Sequence, residues 1–295
     1  MIDFIREFDP AYGSLAPVSP LVRRLVAPNR SPFTAWGTGT YVVGGGKVAV
    51  IDPGPDDAGH IDTLIAGLDR RHEHVTHIVV THTHLDHSPG ARLLQARTGA
   101  PIVGCAPHAR TGPNHEPVEE GGDFDHVPDA LLNDGDIVHG NGWTLTAVHT
   151  PGHTSNHLCY ALAEERALFS GDHVMGWSTT VVSPPDGDMA HYIASLRKLL
   201  PRDDQTLYPT HGAPITAPKP FIEQLIAHRL EREAQIVACL QDGLAEVPAM
   251  VARLYADVDA RLHRAAARSV LAHLNALEQD GRVARESDRY RLVAP

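Results

Sequence analysis

The stretch Thr81-His82-Thr83-His84-Leu85-Asp86-His87 packs three imidazoles and a carboxylate directly behind an apolar run, His77-Ile78-Val79-Val80. Imidazole and carboxylate without thiolate suit zinc, and also iron and manganese. Alternate residues of an extended chain share a face, so His82 and His84 point the same way. The chain then turns, and Asp86 and His87 can face a second position beside the first. That spacing frames two cations. Two cations close enough to share a ligand would also share a water and lower its pKa to about 7. The hydroxide formed at neutral pH would attack an electrophilic carbon or phosphorus.

Three later residues fit the same site. His153 lies in Thr150-Pro151-Gly152-His153-Thr154, Asp172 in Phe169-Ser170-Gly171-Asp172, and His211 in Tyr208-Pro209-Thr210-His211-Gly212. Each leaves the end of an expected strand, where a rigid scaffold presents functional groups. The chain has no G-x-S-x-G, no P-loop and no dinucleotide-binding fingerprint. A serine or cysteine nucleophile is not needed.

The elements that must carry these residues are legible in outline. Residues 1–32 hold Pro10, Pro17, Pro20, Pro28 and Pro32 and read as irregular or edge structure. Strands are expected at 38–43 and 47–52 around a glycine turn, then at 77–81, 101–105, 143–149, 158–162, 167–170 and 206–208. Helices are expected at 60–68, 90–98 and 189–200. The polar segment 106–142 reads as a lid or binding loop. After Pro218–Pro220 the pattern turns helical over 221–240, 248–255 and 260–280. A hairpin at 283–293 follows, which is the order of a winged helix. A boundary at 217/218 follows, giving domains 1–217 and 218–295.

The run HTHLDH, then TPGHT, FSGD and YPTHG in that order, resembles the metallo-β-lactamase superfamily. The fold this implies is α/β, an αββα sandwich with a small C-terminal winged-helix domain. By position the resemblance implies that His82, His84 and His153 hold one metal and Asp86, His87 and His211 a second, with Asp172 bridging. Asp86 and Asp172 become the catalytic carboxylates. Asp52, in Val50-Ile51-Asp52-Pro53-Gly54, is expected to orient a ligand histidine, and His157 is either a similar support or a half-buried strand histidine. Many lactam-hydrolysing members place Cys or Ser where this chain has Asp172, which argues against a dedicated resistance enzyme.

The tail narrows the resemblance to the β-lactamase-like protein 2 subfamily. Its members divide between a single-strand endoribonuclease and polyketide thioesterases. Arg261, Arg264 and Arg268 share one face of the third tail helix, and Arg282, Arg285, Arg289 and Arg291 could add charge on the wing. Residues 221–295 nevertheless carry 10 arginines against 11 carboxylates, and the whole chain has 25 basic and 36 acidic residues. A net charge of -11 does not suit broad phosphate binding. The stripe then reads as a solvated or inter-domain face, with the winged helix as a cleft wall or a dimer surface. Hydrolysis of a small ester, thioester or lactone by two zinc ions is the favoured reading, and cleavage of single-stranded RNA the alternative. Residues 177–180 and the loop 106–142 are expected to line the pocket, and Glu116–Asp136 to place acid at its mouth.

Among 295 residues, 42% are hydrophobic and 21% charged, which excludes global disorder. No run approaches the ~20 apolar residues of a membrane span. The opening MIDFIREFDP lacks the features of a secretory signal. Cys105, Cys159 and Cys239 are far apart and form no CxxC, so a disulfide scaffold is excluded and a cytoplasmic setting favoured.

Overall fold

The structure, a computed structural model, describes residues 2–109, 121–257, 259 and 262–293. Two sheets face each other. The first runs, in spatial order, β1 (Ala16–Pro17), β2 (Val22–Val26), β3 (Gly39–Gly45), β4 (Lys47–Ile51), β5 (His74–Val80), β6 (Ile102–Gly104) and β7 (Ala130–Leu131). The second contains β8 (Ile137–Gly140), β9 (Trp143–His149), β10 (Leu158–Leu162), β11 (Ala167–Gly171) and β12 (Thr206–Pro209), in the spatial order β12-β11-β10-β9-β8. Helices α1 (Ala58–Asp69) and α2 (Pro89–Thr98) pack on the first sheet, and α3 (Met189–Leu199) on the second. The expected αββα sandwich is the observed fold.

Period-two alternation builds the layers. Leu158, Tyr160 and Leu162 of β10 point between the sheets, while Cys159 and Ala161 point to the helices behind. Phe169 and Leu168 of β11 divide the same way. β4 and β5 are apolar on both faces because one face meets the second sheet and the other meets α1 and α2.

The tail forms α4 (Pro218–Gln241), α5 (Val247–Leu254), α6 (His263–Gln279) and the hairpin of β13 (Val283–Glu286) and β14 (Arg289–Leu292). It has its own core, which includes Ile236, Met250, Val270, Leu274 and Tyr290. Yet Phe221, Ile222 and Leu225 of α4, with Ala272 and Ala276 of α6, pack into the core behind the second sheet. The module is therefore anchored to the sandwich over two helices.

One expectation needs correction. The lead-in is not wholly irregular: Val22–Val26 is an interior strand, paired with β1 on one side and β3 on the other. Its two arginines hid it. Arg23 is buried, where it meets Glu73 at 3.1 Å and donates to the Gly44 carbonyl. No described helix is long and apolar enough to cross a membrane. All three cysteines are free and buried.

Candidate metal centre

Parallel pairing places the site. β4 runs parallel to β5, and β11 to β12, so within each pair the chain leaves from the same end. Asp52 follows β4, the 82–87 loop follows β5, Asp172 follows β11 and His211 follows β12. His153 joins them from the turn between β9 and β10. Gly171 and Gly152 permit these turns. Gly171 has φ +53, and a Cβ there would meet His157 Nε2 at 2.6 Å. At Gly152 (φ +138) a Cβ would strike the Tyr192 backbone at 2.3 Å.

The seven expected ligands converge. His82 Nε2 and His153 Nε2 each lie 3.0 Å from His84 Nδ1. Asp86 Oδ2 lies 3.4 Å from His87 Nε2 and 3.2 Å from His211 Nε2. Asp172 Oδ2 sits between the two groups, 3.5 Å from His87, 3.3 Å from His211 and 3.9 Å from His153. Three sets of potential donors follow: His82, His84 and His153; Asp86, His87 and His211; and His82, His87 and Asp172.

The surrounding groups decide which nitrogen faces inward. His153 Nδ1 donates to the Val181 carbonyl at 2.6 Å, and His211 Nδ1 to the Gly37 carbonyl at 3.0 Å. A carbonyl only accepts, so each Nδ1 carries a proton and, in the neutral ring, Nε2 is the nitrogen that offers a lone pair. His87 Nδ1 donates to Asp52 Oδ2 at 2.9 Å with the same consequence. Thr81 Oγ1 donates to Asp52 Oδ2 at 2.7 Å and so accepts from His82 Nδ1 at 3.0 Å. Thr38 Oγ1 donates to Asp86 Oδ2 at 2.9 Å.

His157 is wholly buried rather than half-buried. Its Nδ1 meets Thr150 Oγ1 at 2.9 Å, and its Nε2 accepts the Asp172 backbone N–H at 3.2 Å. It steadies the Asp172 turn from behind. Asp52 holds a positive φ of 47° and also accepts the Thr81 N–H at 2.8 Å, which ties the ends of β4 and β5 together.

Protonation separates the two groups. Burial, then neighbouring imidazoles, holds His82 well below its ordinary range, and burial does the same for His84 and lowers His153. Those three are neutral ligands in waiting. Burial also works against charge on His211, but Asp172 and Asp86 outweigh it and push the ring up to about 10. His87 is raised well above its ordinary value by the same two carboxylates. Buried His87 Nε2 and Asp172 Oδ1 make no hydrogen bond among the described residues. Buried polar atoms left without partners are costly, and a cation between them would satisfy both. The donor set therefore fits divalent metal.

Two family descriptions match the chain: the metallo-beta-lactamase superfamily over residues 35–211, and the beta-lactamase associated winged helix domain over residues 247–291. The chain belongs to the metallo-beta-lactamase superfamily. It is a hydrolase of that superfamily. A Caenorhabditis elegans protein named Beta-lactamase-like protein 2 homolog is 33% identical over 92% of this chain and 90% of its own length. An atrochrysone carboxyl ACP thioesterase of Paecilomyces divaricatus is 32% identical over 78% of this chain and 68% of its own. A solved structure of a beta-lactamase domain protein from Burkholderia ambifaria superposes with a TM-score of 0.77 at 23% identity, covering 99% of this chain and 97% of that one, and shares the fold.

Beside the candidate metal centre this superfamily hydrolase opens a cleft of about 900 Å³. Leu85, His108, Gly122 and Phe124 form its inner side, Pro184, Pro185 and Asp186 its edge, and Val247, Arg264, Ala267, Arg268, Leu271 and Tyr290 of the tail its far wall. Leu85, between His84 and Asp86, is 49% exposed, and Phe124 is 40% exposed. The segment 106–142 thus contributes lining as expected, but it is not one loop, since β7 and β8 lie within it as sheet edges; its residues 110–120, Glu116 included, lie outside the described residues.

Two expectations change. Among the described residues, the Trp177–Thr180 segment does not line the cleft; Thr180 is buried and donates to the Asp172 carbonyl. Asp123 adds no acid to the mouth, because it is buried against Ser88 and Arg92. Arg264 and Arg268 line the cleft, in keeping with the winged helix as a cleft wall, while Arg261 lies outside the described residues. Thr38, Thr81, Thr180 and Arg229 escaped the sequence reading. The threonines carry no distinctive spacing, and Arg229 looks like any charge on a helix.

Proposed function

We propose that this hydrolase uses two divalent cations, zinc ahead of iron or manganese, to cleave a small ester, thioester or lactone. His82, His84 and His153 would hold one cation, Asp86, His87 and His211 the other, and Asp172 both. The chemistry that such a pair supplies is hydroxide at neutral pH and polarisation of the acceptor oxygen. Asp52 fixes His87, His157 fixes the Asp172 turn, and the carbonyls of Gly37 and Val181 fix His211 and His153. Asp86 and Asp172 supply the negative charge that holds the cations and act as the catalytic carboxylates. We divide the chain into a hydrolase domain, 1–217, and a winged-helix domain, 218–295.

The observation that carries the substrate reading is the cleft. Leu85, Phe124, Pro184, Pro185, Ala267 and Leu271 offer apolar surface in this cleft, and Leu85 lies in the chain between His84 and Asp86. An acyl group gains by burial there, whereas a phosphodiester backbone does not. The thioesterase name of the fungal relative supports the same chemistry. On the wing, Arg289 pairs with Glu246 and Arg291 with Glu286, and Arg282 meets Glu233 of α4, so these guanidinium groups already face carboxylates. That weakens the RNA reading. Three free, buried thiols support a reducing, cytoplasmic setting.

The test is hydrolysis of a panel of acyl thioesters, esters and lactones by zinc-loaded protein, with end-labelled single-stranded RNA in parallel. Asp172→Ala and chelated protein are the controls. Acyl turnover reduced at least ~100-fold by Asp172→Ala supports the proposal. RNA cleavage abolished by Asp172→Ala, with no acyl turnover, replaces it with a nuclease.

A further inference from the structure

Residues 180–186 form an irregular strap that touches one histidine of the candidate centre, His153, and the Asp172 turn. The Val181 carbonyl accepts the Nδ1 proton of His153 at 2.6 Å. Thr180 Oγ1 bonds to the carbonyls of Asp172 at 2.7 Å and His173 at 3.1 Å. At the far end Asp186 accepts from Ser155 Oγ and from the Ser155 N–H, two residues beyond His153. One short piece of chain therefore sets the positions of a ligand imidazole and a ligand carboxylate that are 19 residues apart in sequence.

The tail grips this strap. Arg229 of α4 donates from Nη2 to the Thr180 carbonyl. Arg268 of α6 donates from Nη1 to Ser183 Oγ at 3.1 Å. Arg229 is unusual on its own account. It is 4% exposed, its guanidinium lies 5.2 Å from the Tyr192 ring centre, and no carboxylate is within ion-pair distance among the described residues. Its Nε makes no hydrogen bond among the described residues. A buried cation without a counter-charge is expensive. A bond to a backbone carbonyl that steadies a functional site is a physical reason for keeping one there.

We propose that Arg229 is a positioning residue through which the C-terminal module holds the strap, and through Thr180 and Val181 the ligands Asp172 and His153, in register. The inference rests on the metal-centre reading above. It gives the winged helix a role that needs no nucleic acid: its α4 acts on the geometry of the site, while its α6 builds the cleft.

The experiment titrates metal-free protein with Co²⁺ and reads stoichiometry, affinity by chelator competition, and the visible d–d spectrum. Wild type is compared with Arg229→Met, Arg229→Lys, Thr180→Val and Thr180→Ser, with circular dichroism to establish folding. Loss of a group that supports a ligand weakens metal binding by roughly 10–100-fold. Arg229→Met and Thr180→Val are expected to show that loss and an altered spectrum, with Arg229→Lys and Thr180→Ser restoring most of both. Folded Arg229→Met with wild-type affinity and spectrum overturns the proposal. So does Thr180→Val with unchanged cobalt binding, whether or not Arg229→Met folds. Wild-type protein that takes up no cobalt overturns the metal-centre reading and this inference with it. Wild-type binding with unaffected variants overturns this inference alone.

Discussion

The Asp52 carboxylate accepts the Nδ1 proton of His87 at 2.9 Å, and both side chains are almost fully buried. The same carboxylate holds Thr81, which in turn faces His82 Nδ1. One acid from the first sheet thereby aims two imidazoles, one in each ligand group. Asp52→Ala is expected to weaken metal binding roughly 10–100-fold. It also leaves the φ of +47 to a residue that tolerates it poorly. Asp52→Asn keeps an acceptor oxygen and suits a positive φ, so it should lose less. Metal content after dialysis against a chelator ranks the two.

Metal uptake should release protons unevenly. His82, His84 and His153 are already neutral, whereas His211 is held protonated up to about 10 by Asp172 and Asp86. A cation among Asp86, His87 and His211 must displace that proton at neutral pH. Its affinity should therefore rise with pH until His211 titrates in the metal-free protein. Calorimetry in buffers of different ionisation enthalpy should find proton release at one equivalent of metal and little at the other. Equal release at both would contradict the assignment.

His273 of α6 is buried, and neither ring nitrogen has a hydrogen-bond partner among the described residues. Burial, with Arg229 adding to it, pushes its pKa down to about 3. The unfolded chain binds a proton at this group near pH 6.5 and the folded chain does not. Stability linked to it is thus fully present above 6.5 and falls as pH drops from 6.5 towards 3. His273→Leu removes that dependence. It should raise stability by about 2 kcal/mol more at pH 5 than at pH 8, read by urea denaturation at both values. An equal gain at both would show that the ring is not held neutral.

Ala267 presents a small side chain to the cleft from α6. Ala267→Trp should fill part of the far wall. For a long-chain acyl thioester KM is expected to rise about tenfold, the scale on which a hydrophobic pocket discriminates size. Short acyl groups and metal content should be little affected. An unchanged KM across chain lengths would move the acyl group out of this cleft.

The ligands were legible because coordination chemistry restricts residue type and spacing so tightly. HxHxDH behind an apolar strand, with His153, Asp172 and His211 each just past a later strand, survives almost unaltered into the folded site. Most element boundaries were legible for the ordinary reason that side-chain periodicity reports burial. Val22–Val26 was not, because a buried arginine matched by a distant Glu73 breaks the pattern of an interior strand. His157 could not be told from a half-buried histidine, since its partner is the backbone N–H of a residue 15 positions away.

From the sequence alone came the chemistry: which residues could bind a cation, the superfamily fold that gathers them, and a chain too acidic to advertise phosphate binding. The tertiary structure decided how that chemistry is aimed and what it faces. Which nitrogen of His211 and of His153 points inward depends on the carbonyls of Gly37 and Val181, and any residue has a carbonyl. Arg264 and Arg268 of α6 face the cleft, and Arg268 reaches the strap, because Ala272 and Ala276 bury one side of α6 against the sandwich. Long-range packing sets that orientation, and no local pattern of residues encodes it.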